Sequence, residues 1–219
     1  SSLDNGEGGK TTNILAGFVA NRGHHADVGG MTPGSLPLST ELYQEGTIIP
    51  PIKLAKRGRL NQEVIQLICR NSRTPEERKG DLAAQIASMR VGEGRLQDVV
   101  KRYGLEETLE HMAALLDYSE RMTRQAIETI PDGIYRVLDY MDDDGQSQTP
   151  VPIAVAITVA GDEMTLDFTG TSPQRPGCIN APQAVTVSAC LYVIRCVVGG
   201  QVPANQGCLR PLTIITPRG

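Results

Sequence analysis

"TPEERKGDLAAQIASMRVGEGRLQDVVKRYG", residues 74–104, decides the fold class. Thr74 is a helix cap, Pro75 takes the first helical position, and Glu76 and Glu77 lie near the positive end of the helix dipole. Leu82, Ile86, Met89, Leu96, Val100 and Tyr103 then recur at helical spacing, and Gly104 supplies the stop. Leu105, Leu109, Met112, Leu116, Met122 and Ile127 give a second stripe that ends near Pro131. Together they predict an antiparallel helical hairpin over about 75–130. Gly92 and Gly94 weaken its first helix by about 1 kcal/mol each relative to Ala.

Upstream of this segment, Asn61 can cap a short helix reaching about Asn71, and "KRGR" (56–59) reads as a turn. "TIIPPIKLA" (47–55) is extended, and Pro50 and Pro51 keep it out of the middle of a sheet. "NILAGFVAN" (13–21) reads as a strand. Downstream the period changes to 2. "GIYRVLDYM" (133–141), "VPIAVAITVA" (151–160) and "EMTLDFTG" (163–170) predict an antiparallel meander, with turns at "DDDG" and "GD". "NAPQAVTVSACLYVIRCVVGG" (180–200) predicts a buried helix, although its Val and Thr content keeps a strand open, and "LTIITP" is a last strand. The class is α+β, in three segments: 1–60, 61–131 and 132–219.

Composition bounds the function. With 219 residues, 40% hydrophobic and 21% charged, the chain builds a packed core. A net charge of −4 with no long Lys/Arg run argues against nucleic acid as the main partner. No apolar run reaches the roughly 18 residues a bilayer span needs, and "SSLDNGEGGKTTN" is neither a signal nor a transit peptide. Five widely spaced cysteines, without C-x-x-C, fit reduced thiols in a cytoplasmic protein. Both ends read as cut, so a piece of a longer polypeptide is expected.

The chemistry-bearing stretch is "ANRGHHADVGG" (20–30), which holds two of the chain's three histidines. His and carboxylate ligands suit divalent ions of the Mn, Fe or Zn type. On an extended backbone, neighbouring side chains point opposite ways, so only one of His24 and His25 faces a given ion. From these residues alone a metal site, a catalytic or orienting histidine, and a hydrogen-bonding loop all stand open. "GMTPGSLPLSTELYQEG" (30–46), with Glu41 and Glu45, reads equally as a substrate loop or a solvated one. "DFTGTSPQRPGCINAPQ" (167–183) ends where a helix starts, a place that favours anions. "PANQGCLRP" (203–211) is a third such loop. "DDDG" (142–145) lacks the remaining ligands of a calcium loop and reads as a hairpin turn. His111 reads as an ordinary helix residue, and Cys178 and Cys208 have no local histidine to activate them.

Taken in order, "RGHHADVGGMTPGS", "STELYQEG", "RTPEERKGDLAAQIA", "DFTGTSPQRPGCINAP" and "NQGCLRPLTIITPRG" resemble the hydantoinase B/oxoprolinase family across essentially residues 14–219. The resemblance implies one larger catalytic domain, of which the three segments are parts. It implies a hydantoinase A-type ATP-binding partner, separate or fused, that activates the substrate, and an oligomeric assembly. The B-type part then opens a cyclic amide such as 5-oxoproline or a hydantoin. Related ketone carboxylases use the same activation, and "RTPEERKGDLAAQIA" sits closer to the hydrolases. A non-catalytic scaffold segment for the A-type partner is the rival from another class. In metal-bearing members, a divalent ion has two ligands from a segment just upstream and a third at the position of His24. "SSLDNGEGGKTTN" has no histidine, so the expectation is that His24 is one ligand of a split site. His25, Asp27 and Glu45 are then the candidate catalytic groups. Arg22, Gly29, Gly30 and Ser35, with Thr169 and Asn180 of the later loop, are the candidate substrate contacts.

Overall fold

The computed structural model describes residues 2–3, 14–200 and 202–219. The polar loop expected at the start of the chain lies largely outside the described residues. Two compact units divide the chain, Ser1–Thr108 and Leu109–Gly219, and each has its own core.

In the first unit, β1 (Ser2–Leu3) pairs antiparallel with β2 (Ile14–Leu15). The strand expected over 13–21 keeps only those two residues as ladder. The rest follows the long helix α3 (Pro75–Tyr103) instead. Asn21 donates to the Gln85 carbonyl at 2.7 Å and to the Ser88 hydroxyl at 2.7 Å. A Cβ on Gly92 would come within 2.6 Å of Val19. That close approach gives the helix-weakening glycine its reason. A four-residue helix, α1 (Leu42–Glu45), interrupts the glycine-rich loop. β3 (Ala55–Lys56) and β4 (Arg59–Leu60) close on Arg57 and Gly58, both at positive φ, as a two-residue hairpin requires. In α2 (Gln62–Arg70) the Asn61 side chain accepts from the Val64 amide, the expected cap. Ile65 and Cys69 of α2 meet Leu82 of α3, with Leu54 and Ile68 against them. Burial of each large aliphatic side chain contributes about 2 kcal/mol. Gly104 ends α3 at φ 88°, its N–H on the Val100 carbonyl.

The second unit carries most of α4 (Leu105–Glu128), which begins just before the unit boundary. Its sheet is β5 (Gly133–Met141), β6 (Val151–Ala160), β7 (Glu163–Asp167) and β8 (Leu212–Ile215), in that order. The first three form the expected meander, and β8 joins β7 parallel. A parallel neighbour needs a crossover, which α5 (Gln183–Val198) and a 3-10 turn at Gln206–Leu209 provide. Ile127 of α4, Val159, Met164 and Leu166 of the sheet, and Cys190 and Ile194 of α5 form the core. The two long helices stand where the periodicity places them. Leu82 of α3 joins the core of the first unit and Ile127 of α4 that of the second. The helix α5 forms, but only a stripe of it is buried; Tyr192, Val193 and Val197 are exposed. One helix face is all a single sheet layer can cover. β5 is an edge strand, and Ile134, Tyr135, Val137, Leu138 and Tyr140 are exposed on its two faces. No helix among the described residues is long and apolar enough to cross a membrane.

Candidate functional site

The site is a loop fastened to one helix. The loop 21–30 runs beside the start of α3, and three clasps hold it. Asn21 is the first, through Gln85 and Ser88.

His25 is the second. Its Nδ1 lies 2.5 Å from Nη1 of Arg78, and its Nε2 lies 3.2 Å from Oε1 of Gln85. A guanidinium only donates, so Nδ1 accepts and the ring proton sits on Nε2, donated to Gln85. This tautomer is assigned from the partners. Arg78 is 1% exposed, and its Nη1 also donates to Asp81 at 2.6 Å.

Asp27 is the third clasp and is 4% exposed. Its oxygens accept from the Arg73 amide at 2.5 Å, the Arg73 guanidinium at 3.0 Å, the Gly29 amide at 3.0 Å and the Ser72 hydroxyl at 3.4 Å. The Arg73 amide above all holds this carboxyl below the ordinary carboxylate range, against the opposing effect of burial, with the Gly29 amide and the Arg73 charge adding to it. A carboxylate just before a helix start also meets the positive end of the dipole.

These bonds revise several expectations. His25 has both ring nitrogens engaged, so it has no free lone pair to act as a base. Asp27 spends its oxygens on donors of this chain and so fastens the loop. Gly29 and Gly30, expected as substrate contacts, are instead packing glycines at φ 92° and 81°. The Met31 amide donates to the Gln44 carbonyl at 2.8 Å, the Thr47 amide to Val28 at 2.9 Å, and Arg73 reaches the Gly30 carbonyl at 2.9 Å. A Cβ on Gly30 would lie 2.5 Å from the Gln44 carbonyl oxygen. Gly30→Ala should therefore cost about 2 kcal/mol, from the left-handed backbone and the overlap together. Denaturant unfolding of the purified protein checks this; an unchanged midpoint would refute the packing role. Glu45 is exposed and accepts from the buried Ser39 hydroxyl at 3.3 Å.

His24 is different. It is exposed, and among the described residues no hydrogen bond or ion pair engages it, Arg22 or Ser35. The clasps at 25 and 27 fix the backbone on one side and the Asn21 clasp fixes the other. One free imidazole is thus presented on a held backbone. Among the described residues no three His, Cys, Asp or Glu side chains gather in a metal-holding group. His24 suits a divalent ion as one donor, and the described residues do not complete a site around it.

Thr169 and Asn180 belong to the second unit. The Thr169 amide closes a turn on Asp167 at 2.9 Å, and Thr169 lowers the Asp167 pKa. Asn180 staples its loop, accepting from the Arg175 amide at 2.9 Å and donating to the Arg175 and Gly177 carbonyls at 2.8 Å each. Both are turn-forming residues. Beside that loop is a cavity of about 690 Å³ whose lining includes Phe168, Arg175, Thr186 and Arg218. Asp144 of "DDDG" is buried and accepts from the Gln146 and Ser147 amides at 2.9 and 2.7 Å and from Arg175 at 3.3 Å. The turn reading holds, and these bonds explain why its carboxyl is held low.

Sequence reasoning missed Arg73, Arg78 and Gln85 as the loop's partners. A usable signal was present. Arginines at both edges of a helix start oppose the dipole, which demands nearby acceptors, and Asp27 is one.

Comparison with known proteins places these motifs. An uncharacterized protein of Methanocaldococcus jannaschii is 39% identical over 204 residues, covering 93% of this chain and 36% of its own length. The 5-oxoprolinase of Saccharomyces cerevisiae is 37% identical over 224 residues, covering 95% of this chain and 17% of the relative. The crystal structure of the ATP-dependent caprolactamase from Pseudomonas jessenii superposes with a TM-score of 0.77 at 29% identity, over 89% of this chain and 34% of that one. The chain thus spans about a third or less of the length of each protein it matches. The hydantoinase B/oxoprolinase family profile matches residues 8–219, and the chain belongs to that family.

Proposed function

We propose that this chain is part of the hydrolytic, B-type component of a cytoplasmic, ATP-dependent cyclic amide hydrolase that opens 5-oxoproline or hydantoin-type rings. Family membership supports the class, as does likeness to a 5-oxoprolinase and an ATP-dependent caprolactamase. The observation that carries the local reading is the triple clasp that engages His25 and Asp27 and leaves the His24 imidazole unengaged among the described residues. ATP is handled by an A-type subunit or fused half, in an oligomeric assembly, and the B-type part acts on the activated ring.

Opening a cyclic amide needs a deprotonated water and a stabilised oxyanion. A divalent ion of Mn, Zn or Fe type, when bound, supplies Lewis acidity and an acidified water. His24 contributes one imidazole nitrogen toward such an ion. Arg73, just before α3, and Arg78 and Gln85 of α3 hold the loop that presents this nitrogen. Arg22 and Ser35, exposed on the same loop, remain available to a polar substrate. Glu45, tied to Ser39, contributes a second carboxylate at the loop's far end.

The test uses the full-length protein with its A-type partner. His24→Ala should lose bound metal by elemental analysis and lower ATP-dependent turnover of 5-oxoproline or a hydantoin at least about 100-fold. Unchanged metal content and turnover would overturn the reading. Turnover of acetone instead of any lactam or hydantoin would move the protein to the ketone carboxylases.

A further inference from the structure

Arg78 is hard to explain as a stabilising residue. It lies in the first turn of α3, where a cation opposes the helix dipole. Its side chain is 1% exposed, and its Nε has no hydrogen-bond partner among the described residues. A buried donor without a partner keeps the desolvation penalty and gains no bond to offset it. Its one acidic neighbour, Asp81, is half-exposed and gives only a screened pair. What the guanidinium gains in that position is the 2.5 Å contact to Nδ1 of His25.

That contact decides the histidine's state. With Arg78 donating to Nδ1, the ring must carry its proton on Nε2, and the Gln85 oxygen receives it. Asp81 is 3.6 Å from Nδ1, too far to compete for it. Both ring nitrogens are then fixed from one helix, by side chains at positions 78 and 85, about two helical turns apart. The His25 ring cannot swing out of this position without breaking one of these bonds, so the ring anchors the Cα next to His24. We propose that Arg78 is a positioning residue: by fixing the tautomer and orientation of His25, it sets the backbone that presents His24. The inference rests on the functional reading of the His24 loop.

Two readouts on the full-length assembly test it. The first is chemical. Diethyl pyrocarbonate modifies an imidazole only at an unoccupied nitrogen, and peptide mass spectrometry separates His24 from His25. In the native protein His25 should be protected. In Arg78→Met, of similar length without a donor, its modification rate should rise at least about fivefold. The second is kinetic. Arg78→Met should lower kcat by about 10–100-fold, the range for groups that orient a reactive histidine, with KM little changed. Arg78→Lys keeps one donor for Nδ1 and should recover most of that loss. Melting temperatures of the two variants should agree within a few degrees, so that the rescue does not come from folding.

Unchanged His25 reactivity in Arg78→Met would overturn the proposal, as would a Lys variant as impaired as the Met variant at equal stability. The functional reading fails separately. If His24→Ala keeps full turnover while Arg78→Met still unmasks His25, the tautomer clasp stands and the role assigned to His24 falls.

Discussion

Asp27→Asn is expected to lower stability by about 3 kcal/mol at pH 7, and the difference should vanish in acid. The carboxylate sits in a cage of donors: the Arg73 amide and guanidinium, the Gly29 amide and the Ser72 hydroxyl. Asparagine keeps one acceptor but turns its amide toward donors, and the Arg73 charge loses its partner. Breaking one side of a buried pair costs about 3–5 kcal/mol. Arg73 is half-exposed, so the lower end applies. The pH dependence follows from the depressed pKa. A carboxyl whose folded pKa lies below its unfolded value stabilises the fold fully above the unfolded value, near pH 4. That stabilisation is lost as pH falls through the folded value. Unfolding midpoints of wild type and variant should therefore differ at pH 7 and converge as the pH falls through the folded value. A gap that stays constant with pH would mean the ionised carboxylate is not the fastening group.

Gly207→Ala is the other large effect, in the second unit. Gly207 lies in the 3-10 turn against α4, and a Cβ there would strike the Leu116 carbonyl oxygen. Two backbones are in contact there, so no flexible side chain can yield. The same contact is tied by Asn205, which donates to the Leu115 carbonyl at 3.2 Å and the Ser119 hydroxyl at 2.9 Å. Ser119 in turn donates to the Pro203 carbonyl at 3.1 Å. Pushing the turn away strains all three bonds and shifts β8, which follows it. A loss of about 3 kcal/mol is expected, at the upper end for overpacking. Thermal unfolding measures it, and a variant as stable as wild type would show that the turn can slide.

The sequence announced its elements through local rules. Thr74-Pro75, Gly104 and Asn61 mark helix ends by chemistry that acts within a few residues, and these helices form where those marks stand. Alternation over 133–167 likewise suffices for a meander. Pairings made at a distance leave no such mark. Nothing in "NILAGFVAN" says that it follows α3 instead of building a long strand, and the glycine that admits it lies at position 92. Nor does a stripe say which partners bury it: Leu82 of α3 meets α2, and Ile127 of α4 meets the sheet and α5. The site divides in the same way. "GHHAD" stood out by composition, but which histidine is free depends on Arg78 and Gln85, 53 and 60 residues away. The glycines and Asn180 were read toward ligands because turn-forming residues and ligand-binding residues share the same alphabet.

The outer edge of β5 has a practical consequence. Nine residues of strand leave one row of peptide N–H and C=O groups unpaired, and tyrosine, valine, leucine and isoleucine stand out on both faces. Such an edge is a template for any extended chain that meets it. The 219-residue segment by itself therefore presents an adhesive strip along β5. Concentration limits for this segment in solution will be set by that strip and not by the stability of either core.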